Sequence, residues 1–166
     1  MKGIKVEFKE VPPVKVLSLR KTVPKDKILD VLDDLLCWAF DRIIAVGDPH
    51  FVIIHKDFGY TVDVEACIPL VDAEIPEEDE EVKVKEIPES NVAFIVHRGA
   101  YNVLEEKIKA LFEWLREKNI KFKESYRIVY VVDYFDTNDK SKYVTEIQVP
   151  IEEEIDKLNN QERTYF

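Results

Sequence analysis

Glycine, cysteine and histidine are all scarce in this 166-residue chain, with four, two and three copies respectively. The few glycines form no phosphate-cradling loop and no nucleophile elbow. Cys37 and Cys67 stand far apart, each inside a predicted regular element, so no disulfide framework is implied and reduced, buried thiols are expected. His50 and His55 lie five apart in extended chain and project to opposite faces, and His97 is distant in sequence, so no metal site is expected. No cofactor is expected either.

Positive charge is also in deficit. With 24 basic against 34 acidic residues the formal net charge is -10, which disfavours electrostatic binding to nucleic acid or to an anionic membrane and suits a cationic or neutral partner. Charges interrupt the apolar residues of the N-terminal MKGIKVEFKE, and no later stretch is long and apolar enough to span a bilayer, so a cytoplasmic protein is expected. Abundant Lys and Glu beside few Asn and Gln resemble a thermophile's composition.

What the chain does have is a hydrophobic fraction of 46%, ample for one domain, and an internal repeat. A shift of 76 positions lays KEVPPVKVLSL (9–19) on KEIPESNVAFI (85–95). The same shift lays Ile28, Leu32, Leu35, Leu36 and Ala39 on Leu104, Ile108, Leu111, Phe112 and Leu115, the apolar stripe of an amphipathic helix, and Trp38 on Trp114. HFVIIH (50–55) falls on YRIVYV (126–131). VEACIPL (64–70) then matches TEIQVPI (145–151) once five extra residues are allowed in the turn-rich FDTNDKS (135–141).

Each half thus reads as extended segment, helix, strand, strand: about 4–20, 25–41, 51–55 and 60–68, then 82–97, 101–119, 127–133 and 142–149. The acidic stretch 72–81 links units of about 4–70 and 82–151, and 152–166 is a tail. Short turns between strands predict an α+β fold, a mostly antiparallel sheet carrying both helices on one face, with pseudo-twofold symmetry.

Strand alternation puts Val62, Val64, Ala66 and Ile68 under the helices and Glu65 on the other side. Likewise Thr145, Ile147 and Val149 share one face, and Glu146 and Gln148 the opposite one. A solvated sheet face would explain both glutamates without any ligand. Alternatively, a carboxylate among aromatic walls suits an amphipathic or cationic organic molecule. His50, Phe51, Tyr60, Tyr126, Tyr130, Tyr143, Trp38 and Trp114 are candidate walls, although core packing is the ordinary fate of most aromatics.

The stretches VKVKEIPESNVAFIVHRGAY (82–101), LFEWL (111–115), ESYRIVY (124–130) and TEIQVPI (145–151) resemble the GyrI-like small-molecule-binding family, which includes gyrase-inhibitory proteins and the effector-binding domains of AraC-type and multidrug-sensing regulators. The resemblance covers about residues 4–151 and implies duplicated β-α-β-β units with a ligand cleft between the halves. It implies that Glu146, in the last strand, contacts the ligand, with Tyr126 and Trp114 as cleft aromatics. Glu65, Gln148, Trp38 and His50 complete the candidate ligand set. His97, Gly99 and Tyr101 match the family's turn before the second helix, where a structural role suffices.

Three functions stay open on this reading. The first is stand-alone binding of an amphipathic, aromatic or cationic molecule, without direct nucleic-acid binding. The second is hydrolysis of strained electrophiles, with Glu146 as general base and Tyr126 or Tyr130 assisting. The third is interaction with a protein partner such as a gyrase or a transcription regulator.

Overall fold

The computed structural model describes residues 3–71 and 76–158. The first extended stretch breaks at Pro12 and Pro13 into β1 (Glu7–Val11) and β2 (Val14–Pro24). Its counterpart breaks at Pro88 into β5 (Val82–Ile87) and β6 (Ser90–Arg98). Proline has no N–H to give to a ladder, so each strand ends there and a new one starts in a different partnership. The remaining elements are α1 (Ile28–Asp41), β3 (His50–Asp57), β4 (Thr61–Pro69), α2 (Leu104–Glu117), β7 (Tyr126–Val132) and β8 (Val144–Pro150). The fold is α+β, as expected, but each half contributes four strands where the sequence reading has three extended segments.

All eight strands form one antiparallel sheet in the order β1-β6-β8-β7-β3-β4-β2-β5. Strands β3 and β7 meet at the centre, with Val52 opposite Ile128, Phe51 opposite Val129 and Ile53 opposite Arg127. Shifted by 76 positions Val52 is Ile128, so this pairing is centred on a local two-fold. The outer strands are exchanged: β1 crosses to the edge of the second half and β5 to the edge of the first. Both halves also carry a register shift at the matching place, between Ile54 and Lys56 and between Tyr130 and Val132.

The helices cover one face. Val31, Leu32, Leu35, Leu36 and Ala39 of α1 pack on Leu17, Val52, Ile54, Val62, Val64, Ala66 and Ile68. Leu104, Leu111 and Leu115 of α2 pack on Ala93, Ile95, Ile147 and Val149, joined by Leu158 from a helical turn at 155–158. At about 1.5–3 kcal/mol per fully buried aliphatic side chain, these two stripes supply much of the folding drive. Cys67 is buried, but Cys37 is exposed, because it follows Leu36 on the turn of α1 that rotates away from the sheet. The expectations for the tail residues Tyr165 and Phe166 lie outside the described residues, as does part of the acidic link.

The tryptophans brace the exchanged strands. Trp38 donates from Nε1 to Asp79 Oδ2 at 2.8 Å, just before β5, and packs on the same core cluster as Val84 of that strand. Trp114 lies against Phe8 of β1, with ring centroids 6.0 Å apart.

Both helices end alike. Ile44 N–H donates to the Ala39 carbonyl and Ile120 N–H to the Leu115 carbonyl, each at 3.0 Å, after a residue of positive φ, Ile43 (55°) or Asn119 (56°). Asparagine tolerates that conformation, whereas a β-branched residue is strained in it. Ile43 is also almost fully exposed, so its side chain returns little packing. Ile43→Gly is expected to raise stability by about 1 kcal/mol in urea denaturation, while Asn119→Ile lowers it by a similar amount.

Candidate functional site

The sheet face away from the helices carries the charges. Glu65 is only 2% exposed; it bonds His55 Nε2 at 2.8 Å and Lys85 Nζ at 2.5 Å. Burial alone would raise its pKa, but hydrogen bonds from His55, Lys85 and Ser18, with the charge of Lys85, hold it below the ordinary carboxylate range, at about 2. Glu146, 9% exposed, is ion-paired with Lys9 and accepts from Gln148 Nε2 at 3.0 Å. Lys9 also sits over the Phe94 ring, 4.3 Å from its centroid. Neither glutamate faces open water, so the solvated-face reading does not hold.

The two sites correspond across the two-fold. Lys9 and Lys85 are equivalent in the repeat, and each belongs to an exchanged edge strand. Each therefore reaches over the neighbouring strand to the glutamate of the other half. The sites differ in their further partners: Ser18, His55 and Cys67 around Glu65 stand where Phe94, Val131 and Gln148 stand around Glu146. The first is a closed polar cluster, and the second opens onto a groove.

That groove, about 370 Å³, is lined by Lys9, Val14, Pro49, Phe51, Pro69, Arg127, Val129, Val131, Glu146 and Gln148, with Glu10 and Asp48 among its other residues. Its walls come from both halves and its size is ordinary for a small-molecule site. Arg127 escapes a reading that follows only carboxylates. The same signal marks it, since it is a charge inside the apolar run YRIVYV, on the strand phase opposite the helix-facing Ile128.

A second cavity, about 500 Å³, lies on the helical face between α1 and α2, over a floor of Val62, Tyr126, Ile128 and Tyr130, with Ile28, Leu29, Tyr101, Ile108 and Phe112 around it. At its rim Lys25 Nζ is 3.0 Å from Asp57 and 3.1 Å from Glu105, and Lys109, Arg116 and Glu124 line it as well. Burial pushes the Tyr101, Tyr126 and Tyr130 phenols up, so all three are hydrogen-bond donors. The Tyr101 hydroxyl is buried with no partner among the described residues.

The candidate residues therefore divide between two faces. Glu146 and Gln148 come together in the groove. Glu65 shares their face but is enclosed by Lys85, His55 and Ser18. Tyr126 and Tyr130 stand on the helical side, so neither can assist Glu146. His50 lies on the helical side too, beyond the cleft, its ring edge-on to Phe135 at 6.2 Å. Trp38 and Trp114 line neither cavity. Of the other proposed aromatic walls only Phe51 reaches the groove; Tyr60 is exposed in the β3–β4 turn and Tyr143 stacks on Tyr101 at 5.2 Å. In the turn before α2, Gly99 has a φ of +108° and His97 Nε2 donates to the Ala100 carbonyl at 2.6 Å, both structural duties.

A family model for the GyrI-like small molecule binding domain matches residues 4–152. The chain belongs to this family. Among curated proteins none matches it. The GyrI-like domain superposes on the C-terminal domain of EcmrR with a TM-score of 0.76 at 22% identity, covering 91% of this chain and 99% of that domain. It spans only 58% of the EcmrR chain solved in a DNA complex, with a TM-score of 0.79 and 22% identity. A hydrolase from Listeria innocua gives 0.64 at 14% identity over 89% of this chain and 91% of its own. At such identities the likeness is one of fold. No helix among the described residues is long and apolar enough to cross a membrane.

The lowered pKa of Glu65 sets a pH dependence. Its contribution to stability is complete above the unfolded value near 4.5 and is lost as pH falls toward about 2. Denaturant titrations between pH 5 and 2 are expected to show a shallower loss of stability in Glu65→Gln than in the wild type.

Proposed function

We propose that this GyrI-like domain binds an amphipathic aromatic small molecule in the groove on the uncovered face of the sheet. The observation that carries the reading is the convergence there of three nearly buried polar side chains, Glu146, Gln148 and Arg127, on an apolar wall made by both halves. Few, fixed polar groups in a largely apolar concavity are the ordinary form of a ligand site. We read the two-fold arrangement as an internal duplication in which one copy of the carboxylate cluster stays closed, around Glu65, and the other opened into the groove.

Two features bear on the ligand. Each glutamate already holds a lysine, so a cationic ligand at Glu146 must first displace Lys9. That weighs against a cation-specific site and in favour of a neutral or charge-balanced one. The hydrolytic alternative is disfavoured by the same pair: a carboxylate engaged by Lys9 and Gln148 is poorly placed to take a proton from water, and among the described residues no tyrosine lines the groove.

The competing cleft between the helices is the second reading, favoured by the unpartnered Tyr101 hydroxyl. One experiment separates them. With 2-naphthylmethanol as a neutral fluorescent probe, Val131→Trp is expected to block binding, because exposed Val131 lines the groove, whereas Ile108→Trp, which fills the helical cleft, leaves affinity within about twofold. Glu146→Gln weakens the probe by roughly two- to tenfold through loss of the ordered polar wall. Blocking by Ile108→Trp alone would move the site to the other face.

A further inference from the structure

Arg127 is the buried polar group in the groove that lacks a partner among the described residues. It lies on β7 between Ile53 of β3 and Gln148 of β8, and only 8% of it is exposed. Among the described residues its guanidinium makes no hydrogen bond and no ion pair. The nearby acceptors are engaged elsewhere: Glu146 by Lys9 and Gln148, Glu65 two strands away by His55, Lys85 and Ser18.

A guanidinium cannot escape by losing its proton, since its pKa stays above the physiological range even though burial pushes it down. Burying an unpaired charge costs free energy that an internal carboxylate would normally offset. Here the inner end of the groove carries one unanswered positive charge, because Lys9 and Glu146 cancel. The acids at its mouth are Glu10 and Asp48, both exposed, and Asp48 stands 3.6 Å from His50 rather than against Arg127.

We infer that the groove is a site for a monoanionic amphipathic carboxylate: its carboxylate takes the fork of Arg127, with Gln148 alongside, and its apolar body lies on Phe51, Val129, Val131 and Pro49. The planar fork matches a carboxylate with two parallel hydrogen bonds. A dianion such as a phosphate monoester suits it less, with a single unanswered cation among the described groove residues and a chain of net charge -10. This assignment rests on the groove reading above and adds the sign of the ligand's charge, which is opposite to the sign the acidic composition suggests.

The test compares 2-naphthoate, 2-naphthylmethanol and 2-naphthylmethylammonium by calorimetry on the full chain. The wild type is expected to prefer the acid over the alcohol by about ten- to a hundredfold, the range of a charge-assisted pair, and to bind the amine most weakly. Arg127→Gln and Arg127→Met erase the preference, and Arg127→Lys keeps part of it. Without ligand, Arg127→Met raises the melting temperature by roughly 2–4 °C, because an unpaired buried charge is gone; a marked drop would show a guanidinium satisfied internally and overturn the proposal. So would an alcohol that binds as well as the acid, an acid that does not bind, or a preference surviving in Arg127→Gln. If the acid's preference depends on Arg127 but Val131→Trp does not block it, the groove reading falls as well; if Val131→Trp blocks a probe with no preference for acid, only the charge assignment falls.

Discussion

Each half of this molecule lends its first strand to the other, and with it the lysine that answers the other half's buried glutamate. The exchange puts β1 and β5 at the two edges of the sheet and brings Lys9 to Glu146 and Lys85 to Glu65. Without it, two nearly buried carboxylates on the uncovered face would have no lysine. Two further constraints follow from the exchange. The tryptophans brace the exchanged strands and line neither of the two cavities described above. The halves cannot part without breaking the edge pairings as well as the central β3–β7 pair, so cavities between the halves have fixed walls.

The same architecture with different side chains gives two different places. Around Glu65 a serine, a histidine and a cysteine complete a closed cluster that keeps the carboxylate ionised, with its pKa lowered. Around Glu146 a phenylalanine, a valine and a glutamine leave the space open and mostly apolar. The groove is thus the asymmetric member of a symmetric pair. Its asymmetry extends to the centre of the sheet, where Phe51 and Arg127 hold equivalent positions in the two halves. An aromatic ring on one side and a guanidinium on the other form an amphipathic lining that neither half has alone. The helical cleft is larger; Lys25 pairs with Asp57 and Glu105 at its rim, and its interior polar groups are the phenols of Tyr101, Tyr126 and Tyr130.

Much of the fold is legible in the sequence because it depends on local periodicity. The 3.6-residue stripes located both helices, the shift of 76 aligned the halves, and alternation put Glu65 and Glu146 on the face away from the helices. What could not be read was non-local. Nothing in KEVPPVKVL says that the segment before the prolines pairs with β6 and the one after it with β4, although those prolines mark where the strand must break. Lys9 and Lys85 were visible as equivalents, but their duty depends on that exchange. The placing of the candidate aromatics was hard to read for a related reason: composition does not say which face of a sheet a tyrosine occupies unless its phase is counted, and Tyr126 and Tyr130 share the phase of Ile128, on the floor of the helical cleft. The same counting shows Arg127 on the groove side.

The most direct measurement of the central claim is an amide and side-chain NMR titration of the full chain with 2-naphthoate. With the ligand in the groove, the Arg127 Nε–H and Gln148 Nε2 signals move together with the amides of Phe51, Val129 and Val131, while those of Ile108, Phe112 and Tyr101 stay in place. Movement confined to the residues between α1 and α2, with Arg127 and Gln148 unchanged, would contradict that claim.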